Sequence, residues 1–281
     1  MKYACAVCRS DLAVPAPDAD SHCAACGTRY THGPNYLGYE FDPLLFKRYK
    51  RHFLLNKVLN NNGFISYQVL KEGSLSLASR PDVSDFRRYI ETHAKSGTLL
   101  DVGCGILPLP GYLQFEDTAR FELFGLDPID DRSFHGMRIT GCSEFMPFAD
   151  QQFDTVVYAT SLDHVCSLDA TIEETRRILK ANGKLIIWMG DRSASPWRKF
   201  RNWLVTPLRN LVKGYRTDKY SVYPDLTVLY IPDGAVDPFH SYSENPKKIA
   251  ASLKRAGFGL EDQSQKNRDQ VFLSFVKLPS A

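Results

Sequence analysis

The sequence predicts an α/β fold: a doubly wound parallel sheet with helices on both faces, a small cysteine-bearing module ahead of it and a helical insertion within it. Three observations carry this. From residue 97 onward, short apolar runs alternate with amphipathic stretches at the spacing of parallel strands and crossover helices. Four of the seven cysteines crowd into the first 26 residues. A basic, aromatic stretch then interrupts the alternation between "IIWMG" and "DPFHSYSE".

The first module spans residues 1–40. "CAVCRSDLAVPAPDADSHCAAC" reads Cys5-x2-Cys8, fourteen intervening residues, then Cys23-x2-Cys26. Two residues between cysteines let a tight turn aim both sulfurs at one ion, and two such knuckles complete a tetrahedral four-cysteine zinc site of the zinc-ribbon type. Gly27 follows the second knuckle, where the turn favours positive φ, and Arg9 stands at the matching place in the first. His22 and His32 lie off the regular spacing. Redox pairs or chance thiols are poor explanations for two CxxC pairs in so short a segment. Four protein ligands leave no open coordination position, so the expected Zn2+ is structural and holds together a segment too small to fold on burial alone.

Residues 41–96 read as a helical linker or cap. "PLLFKRYKRHFLLNKVLN" (43–60) places apolar or aromatic residues at 45, 46, 49, 53, 54 and 58, the stripe of an amphipathic helix whose other face is basic. "RPDVSDFRRYIETHAKSG" predicts a second helix, starting between Pro81 and Asp85 and stopped by Gly97. Residues 97–281 then carry the main domain. "TLLDVG", "FELFGLDP", "FDTVVYAT" and "KLIIWMG" read as strands, and "SLDATIEETRRILKANG" as a helix with acids early, bases late and Asn182-Gly183 as its stop. The end of the chain predicts a helix closed by Gly257 and two final strands.

Composition bounds the function. The chain has 281 residues, is 43% hydrophobic and 24% charged, and carries a net charge of +3, an excess too slight to argue for nucleic acid by itself. No run approaches the roughly 18 apolar residues of a membrane span, and "MKYACAVCRS" lacks the apolar core of a signal peptide. An odd cysteine count without an export signal argues against a disulfide framework, and the expected location is cytoplasmic.

In open parallel sheets, ligands sit beyond the carboxyl ends of the strands. There "TLLDVGCGILPLPGYL" delivers Asp101 and Gly103-Cys104-Gly105, glycines that let backbone approach a ligand closely, with a following helix expected to offer its amino end. Asp127 closes the next strand, where a carboxylate can accept two hydrogen bonds from a ribose diol. A nicotinamide site would read G-x-G-x-x-G, but Pro108 holds the third glycine's position, which argues against a dinucleotide. Pro108 and Pro110 suit the first turn of that expected helix.

"LLDVGCG", "LFGLDP", "SEFMPFADQQFDTVVYATSLDHV" and "EETRRILKANGKLIIWMG" together resemble the successive motifs of class I S-adenosylmethionine-dependent methyltransferases, over residues 97 to 190 and in the right order. The resemblance implies a Rossmann-like seven-stranded sheet and S-adenosyl-L-methionine as cofactor. It implies that Asp101, Gly103, Cys104 and Gly105 line the methionine moiety, that Asp127 takes the ribose hydroxyls, and that Pro128 or Ile129 packs on the adenine. Alignment on Pro147-Phe148 puts Cys142, followed by Ser143, where the family has an acid for the adenine amino group; Glu144 is the candidate substitute. Thr160 is implied to approach the cofactor through its backbone.

Methyl transfer needs little machinery beyond in-line placement, and a base only where the acceptor must lose a proton. His164 in "SLDHV", with Asp163 beside it, and His240 in "DPFHSYSE" are the candidates. The insertion 191–240 holds Trp197, Arg198, Lys199, Arg201, Trp203 and further basic residues; it reads as a helical lid over an acceptor site, and its charge suits an anionic acceptor. The leading expectation is a methyltransferase acting on a small-molecule or glycan-like acceptor. The alternatives are an RNA methyltransferase of the ribosomal-RNA type, using the ribbon for RNA recognition, and a non-catalytic zinc-ribbon adaptor with a vestigial cofactor pocket. Neither the acceptor nor the oligomeric state is legible.

Overall fold

The computed structural model describes residues 1–13, 20–39, 81–129, 132–191, 219–222, 228–231, 245–267 and 270–279. The helix expected at 43–60, His240 and most of the insertion lie outside them.

The N-terminal module is built from β1 (Tyr3–Ala4), β2 (Asp11–Leu12), β3 (Asp20–His22), β4 (Arg29–Gly33) and β5 (Tyr36–Tyr39). The rest of the main sheet consists of β6 (Gly97–Val102), β7 (Phe121–Asp127), β8 (Met137–Thr140), β9 (Phe153–Ala159), β10 (Leu179–Gly190), β13 (Phe258–Asn267) and β14 (Gln270–Lys277). Its order is β13-β14-β10-β9-β6-β7-β8-β5-β4-β3. The strands from β8 to β10 run parallel to their neighbours, and β14 is inserted antiparallel beside β10. The seven strands expected from the family resemblance are therefore present, and the first module extends them. β5 pairs in parallel with β8, Tyr36 opposite Arg138 and Gly38 opposite Thr140, so the ribbon continues the sheet.

Alternation along the strands sorts side chains into two cores, one on each face, as the two-residue period requires. Leu100, Val102, Val156 and Leu185 enter one core, while Leu99, Val157, Ile186 and Trp188 enter the other. Helix α1 (Pro81–His93) covers the second face with Phe86 and Ile90. Helices α2 (Leu168–Ile178) and α3 (Pro246–Arg255) cover the first with Ile172, Ile178, Ile249 and Leu253. Each has a local reason to start where it does. Proline leads α1 and α3, and the side chains of Ser167 and Asn245 cap the amides of Ala170 and Lys248. Gly257, at φ +83, ends the α3 segment as expected.

Two expectations shift. Asn182-Gly183 does not stop α2, which ends at Ile178; Leu179 already pairs with Phe153, and Asn182 (φ +60) lies in an irregular stretch of β10 before regular pairing resumes at Lys184. Within the insertion expected to be helical, β11 (Lys219–Val222) and β12 (Val228–Ile231) form an antiparallel pair. No helix among the described residues is long and apolar enough to cross a membrane.

Candidate active site

β6 lies between β7 and β9, so the carboxyl ends of these three strands frame a crevice at the sheet's switch point. Gly103 leaves β6 at φ +81, and its amide donates to the Leu126 carbonyl at 2.7 Å. A Cβ there would stand 2.3 Å from Cβ of Ser161, so the loop after β6 closes against the loop after β9 only because residue 103 has no side chain. The Ser161 hydroxyl completes that closure by donating to the Val102 carbonyl. Gly105, at φ +67, donates its amide to Asp127 Oδ2 at 2.9 Å.

The helix expected after this loop is absent. Residues 106–110 run as an irregular connection, and the next regular element is a 3-10 turn at Gly111–Leu113 introduced by Pro110. The prolines explain this: each removes an amide and disfavours helical backbone in the residue before it. The Pro108 carbonyl instead accepts from the amide of His135 at 2.6 Å. In place of a helix terminus the connection supplies Tyr112, whose buried hydroxyl donates to Asp101 Oδ2 at 2.7 Å. Asp101 is wholly buried, and its Oδ1 has no hydrogen-bond partner among the described residues. Burial raises its carboxyl pKa to about 7, with the Tyr112 hydrogen bond and Arg138 opposing the rise and Asp127 adding to it. A buried carboxylate oxygen without a donor suits the ammonium of an amino-acid-bearing cofactor.

Arg138, which sequence reasoning missed, lies beneath the loop. Its guanidinium donates to the Gly105 carbonyl at 2.8 Å, the Ile129 carbonyl at 2.6 Å and Cys104 Sγ at 2.6 Å. It thus ties the loop after β6 to the loop after β7, and burial holds the Cys104 thiol well above its usual pKa. The signal was present in "MRIT", a lone charge within a short apolar strand. Asp127 is buried and accepts from the amides of Gly105 and Ile129, both at 2.9 Å. Pro128 is half-buried beside it.

The segment carrying Cys142, Ser143 and Glu144 leaves β8 next to Asp127, because the amide of Gly141 donates to the Asp127 carbonyl at 3.1 Å. All three residues are buried. Glu144 is engaged elsewhere: Oε1 accepts the amides of Cys166 and Ser167 at 2.6 and 3.0 Å, and Oε2 accepts from the Ser143 hydroxyl at 3.2 Å. The acid proposed as a substitute thus serves the approach to α2. Thr160 follows β9 at φ +57, with its amide on the Trp188 carbonyl at 2.8 Å. His164 ends the 3-10 turn Leu162–His164, partly exposed, with Nε2 3.7 Å from Asp163 Oδ1.

The cysteine quartet is assembled as the spacing predicts. The four Sγ atoms of Cys5, Cys8, Cys23 and Cys26 lie within 4.8 Å of one another, with Cys5–Cys26 at 3.6 Å and Cys8–Cys23 at 3.5 Å. Tetrahedral Zn–S bonds of about 2.3 Å imply sulfurs roughly 3.8 Å apart, so the donor set fits zinc. Both knuckles make the same turn: Arg9 donates its amide to the Cys5 carbonyl at φ +65, and Gly27 to the Cys23 carbonyl at φ +76. His32 instead pairs with the Ser21 hydroxyl, and neither it nor His22 joins the quartet.

The strand order, the two-glycine loop and the acid closing the second strand are similar to those of class I S-adenosylmethionine-dependent methyltransferase cores. A family model described as a methyltransferase domain matches residues 100–187. The ubiquinone/menaquinone biosynthesis C-methyltransferase UbiE of Bordetella avium (strain 197N) is 33% identical over 97 residues, 31% of this chain and 38% of that protein. UbiE of Geotalea uraniireducens (strain Rf4) is 28% identical over 108 residues, 34% of this chain and 46% of that protein. The chain thus spans less than half the length of either relative. Among solved structures, 1,6-didemethyltoxoflavin-N1-methyltransferase of Burkholderia thailandensis, with bound 1,6-didemethyltoxoflavin and S-adenosylhomocysteine, aligns over 93% of this chain and 100% of its own at TM-score 0.50 and 10% identity, a likeness of fold.

Proposed function

We propose that this chain is a methyltransferase that binds S-adenosylmethionine over the carboxyl ends of β6, β7 and β8 and transfers its methyl group to a small-molecule or glycan-like acceptor. The observation that carries the reading is the pairing of a buried, donor-seeking Asp101 oxygen with Asp127 at the ends of adjacent strands, bridged by the Gly103–Gly105 loop. The cofactor supplies an activated sulfonium methyl. Asp101, held by Tyr112, takes the cofactor's ammonium; Asp127 takes the ribose hydroxyls; Pro128 and the 142–144 segment flank the adenine. His164, on the turn that follows the Ser161 contact, is the base for an acceptor that must lose a proton, with Asp163 orienting it.

The two C-methyltransferase relatives match 31% and 34% of this chain, so their acceptor is not carried over. The basic insertion supports an anionic acceptor. Zn2+ in the cysteine quartet has the structural role of a closed four-thiolate site. The test is transfer of labelled methyl from S-adenosylmethionine into lysate fractionated into RNA, protein and small-molecule pools. Label is expected in the small-molecule pool. Label confined to RNA would replace the acceptor class, and no label in any pool would count against catalysis.

A further inference from the structure

We propose that the cysteine ribbon is the positioning device for the adenine side of the cofactor site, and that Tyr39 and Arg9 are the residues through which it acts. The inference rests on the methyltransferase reading above. Residues 142–149 form no helix or strand of their own, so their placement depends on what they touch. Helix α2 holds one side, where Arg177 donates to the Met146 and Phe148 carbonyls at 3.0 and 2.6 Å, and the ribbon holds the other. Tyr39 ends β5, and the β5–β8 register delivers it to the point where the chain leaves β8. Its hydroxyl donates to the Phe145 carbonyl at 2.6 Å and accepts from the Cys142 amide at 3.0 Å. Its ring lies so close over Gly141 that a Cβ there would come within 2.3 Å of it.

Arg9 reaches the same segment from the metal knuckle itself. The positive-φ turn after Cys8 aims its guanidinium at Glu174 Oε1, 2.7 Å away, and at the Met146 carbonyl at 3.3 Å. Glu174 in turn accepts from the Met146 amide at 3.0 Å. Backbone bonds from Ala4 to Pro147 and from Ala149 to Lys2, with Tyr3 stacked on Phe148, complete the clasp. Tyr30 links the quartet to Tyr39: its hydroxyl donates to Cys5 Sγ at 3.2 Å and accepts from the Ala6 amide, and its ring lies 6.0 Å from that of Tyr39. A knuckle that opens on metal loss releases the Arg9 turn and the Tyr30 contact together. Metal and cofactor affinities are therefore coupled, and the coupling is reciprocal.

The test uses the zinc-loaded full chain and S-adenosylhomocysteine as probe. Tyr39→Phe removes both hydroxyl contacts, and Arg9→Gly keeps the positive-φ turn while deleting the guanidinium. Each is expected to weaken S-adenosylhomocysteine about tenfold by calorimetry, with zinc still one per chain, and to speed hydrogen exchange across 142–149 while 97–105 stays protected. In the wild type, S-adenosylhomocysteine is expected to slow zinc release to a chromophoric chelator several-fold. Tyr89→Phe on α1, which loses a hydrogen bond to the Asp262 carbonyl of β13, controls for general destabilisation and should leave affinity unchanged. Wild-type affinity in both variants, with zinc release indifferent to the ligand, would overturn the coupling alone. Failure of the wild-type chain to bind S-adenosylhomocysteine would overturn the methyltransferase reading and the coupling with it.

Discussion

Gly103 concentrates two requirements in one residue: a left-handed backbone and room for Ser161 against its Cα. An alanine there meets both at once. Gly103→Ala is expected to cost about 1–3 kcal/mol in denaturant unfolding and to abolish S-adenosylhomocysteine binding. Asp101 makes a different demand. Its folded pKa of about 7, against an ordinary 3.8, means that the apo protein holds a proton there that the unfolded chain releases. Its contribution to stability is therefore fully present below about pH 4 and lost as pH rises to about 7. A cationic ligand group at Asp101 reverses the preference, so S-adenosylhomocysteine affinity should rise with pH between 6 and 8, by up to about tenfold per unit below the pKa. Tyr112→Phe removes a hydrogen bond that lowers this pKa and should move the midpoint upward. Calorimetry across pH checks both. Asp101, Gly103 and Asp127 were legible because strand ends announce themselves by hydrophobic pattern. Tyr112 and Arg138 were not, because their partners lie across turns and strands that no spacing rule connects.

At the scale of elements, the strands were legible and the connections less so. The continuous apolar runs of β6, β9 and β10 follow directly from burying both faces of a central strand. The helix expected after β6 was misread, although Pro108 and Pro110 were in view; a proline fits a first helical turn, but two within three residues suit an extended connection better. The α2 boundary was misplaced because Asn182-Gly183 is equally good turn chemistry inside an irregular strand. The cysteine knuckles were legible in full, down to the matched turns at Arg9 and Gly27. That the ribbon's β5 joins β8 was invisible, since pairing across some hundred residues leaves no local trace. Cys8→Ser removes one of four thiolates and is expected to reduce zinc below one per chain and to lower the melting temperature by several degrees, measured by metal analysis and thermal unfolding.

For the whole molecule, ten strands place the cysteine quartet toward one edge of the sheet and the cofactor loops near its middle, joined by the 142–149 segment. In the proposed cofactor site, Asp127 holds the Gly105 amide while Arg138 ties the two loops, so these residues are expected to act together. Calorimetric titration of the zinc-loaded chain with S-adenosylhomocysteine tests this most directly. The account predicts one site per chain, weakened about 100-fold, or roughly 2.7 kcal/mol, by Asp127→Ala. Absence of binding, or binding indifferent to Asp127→Ala, would contradict it.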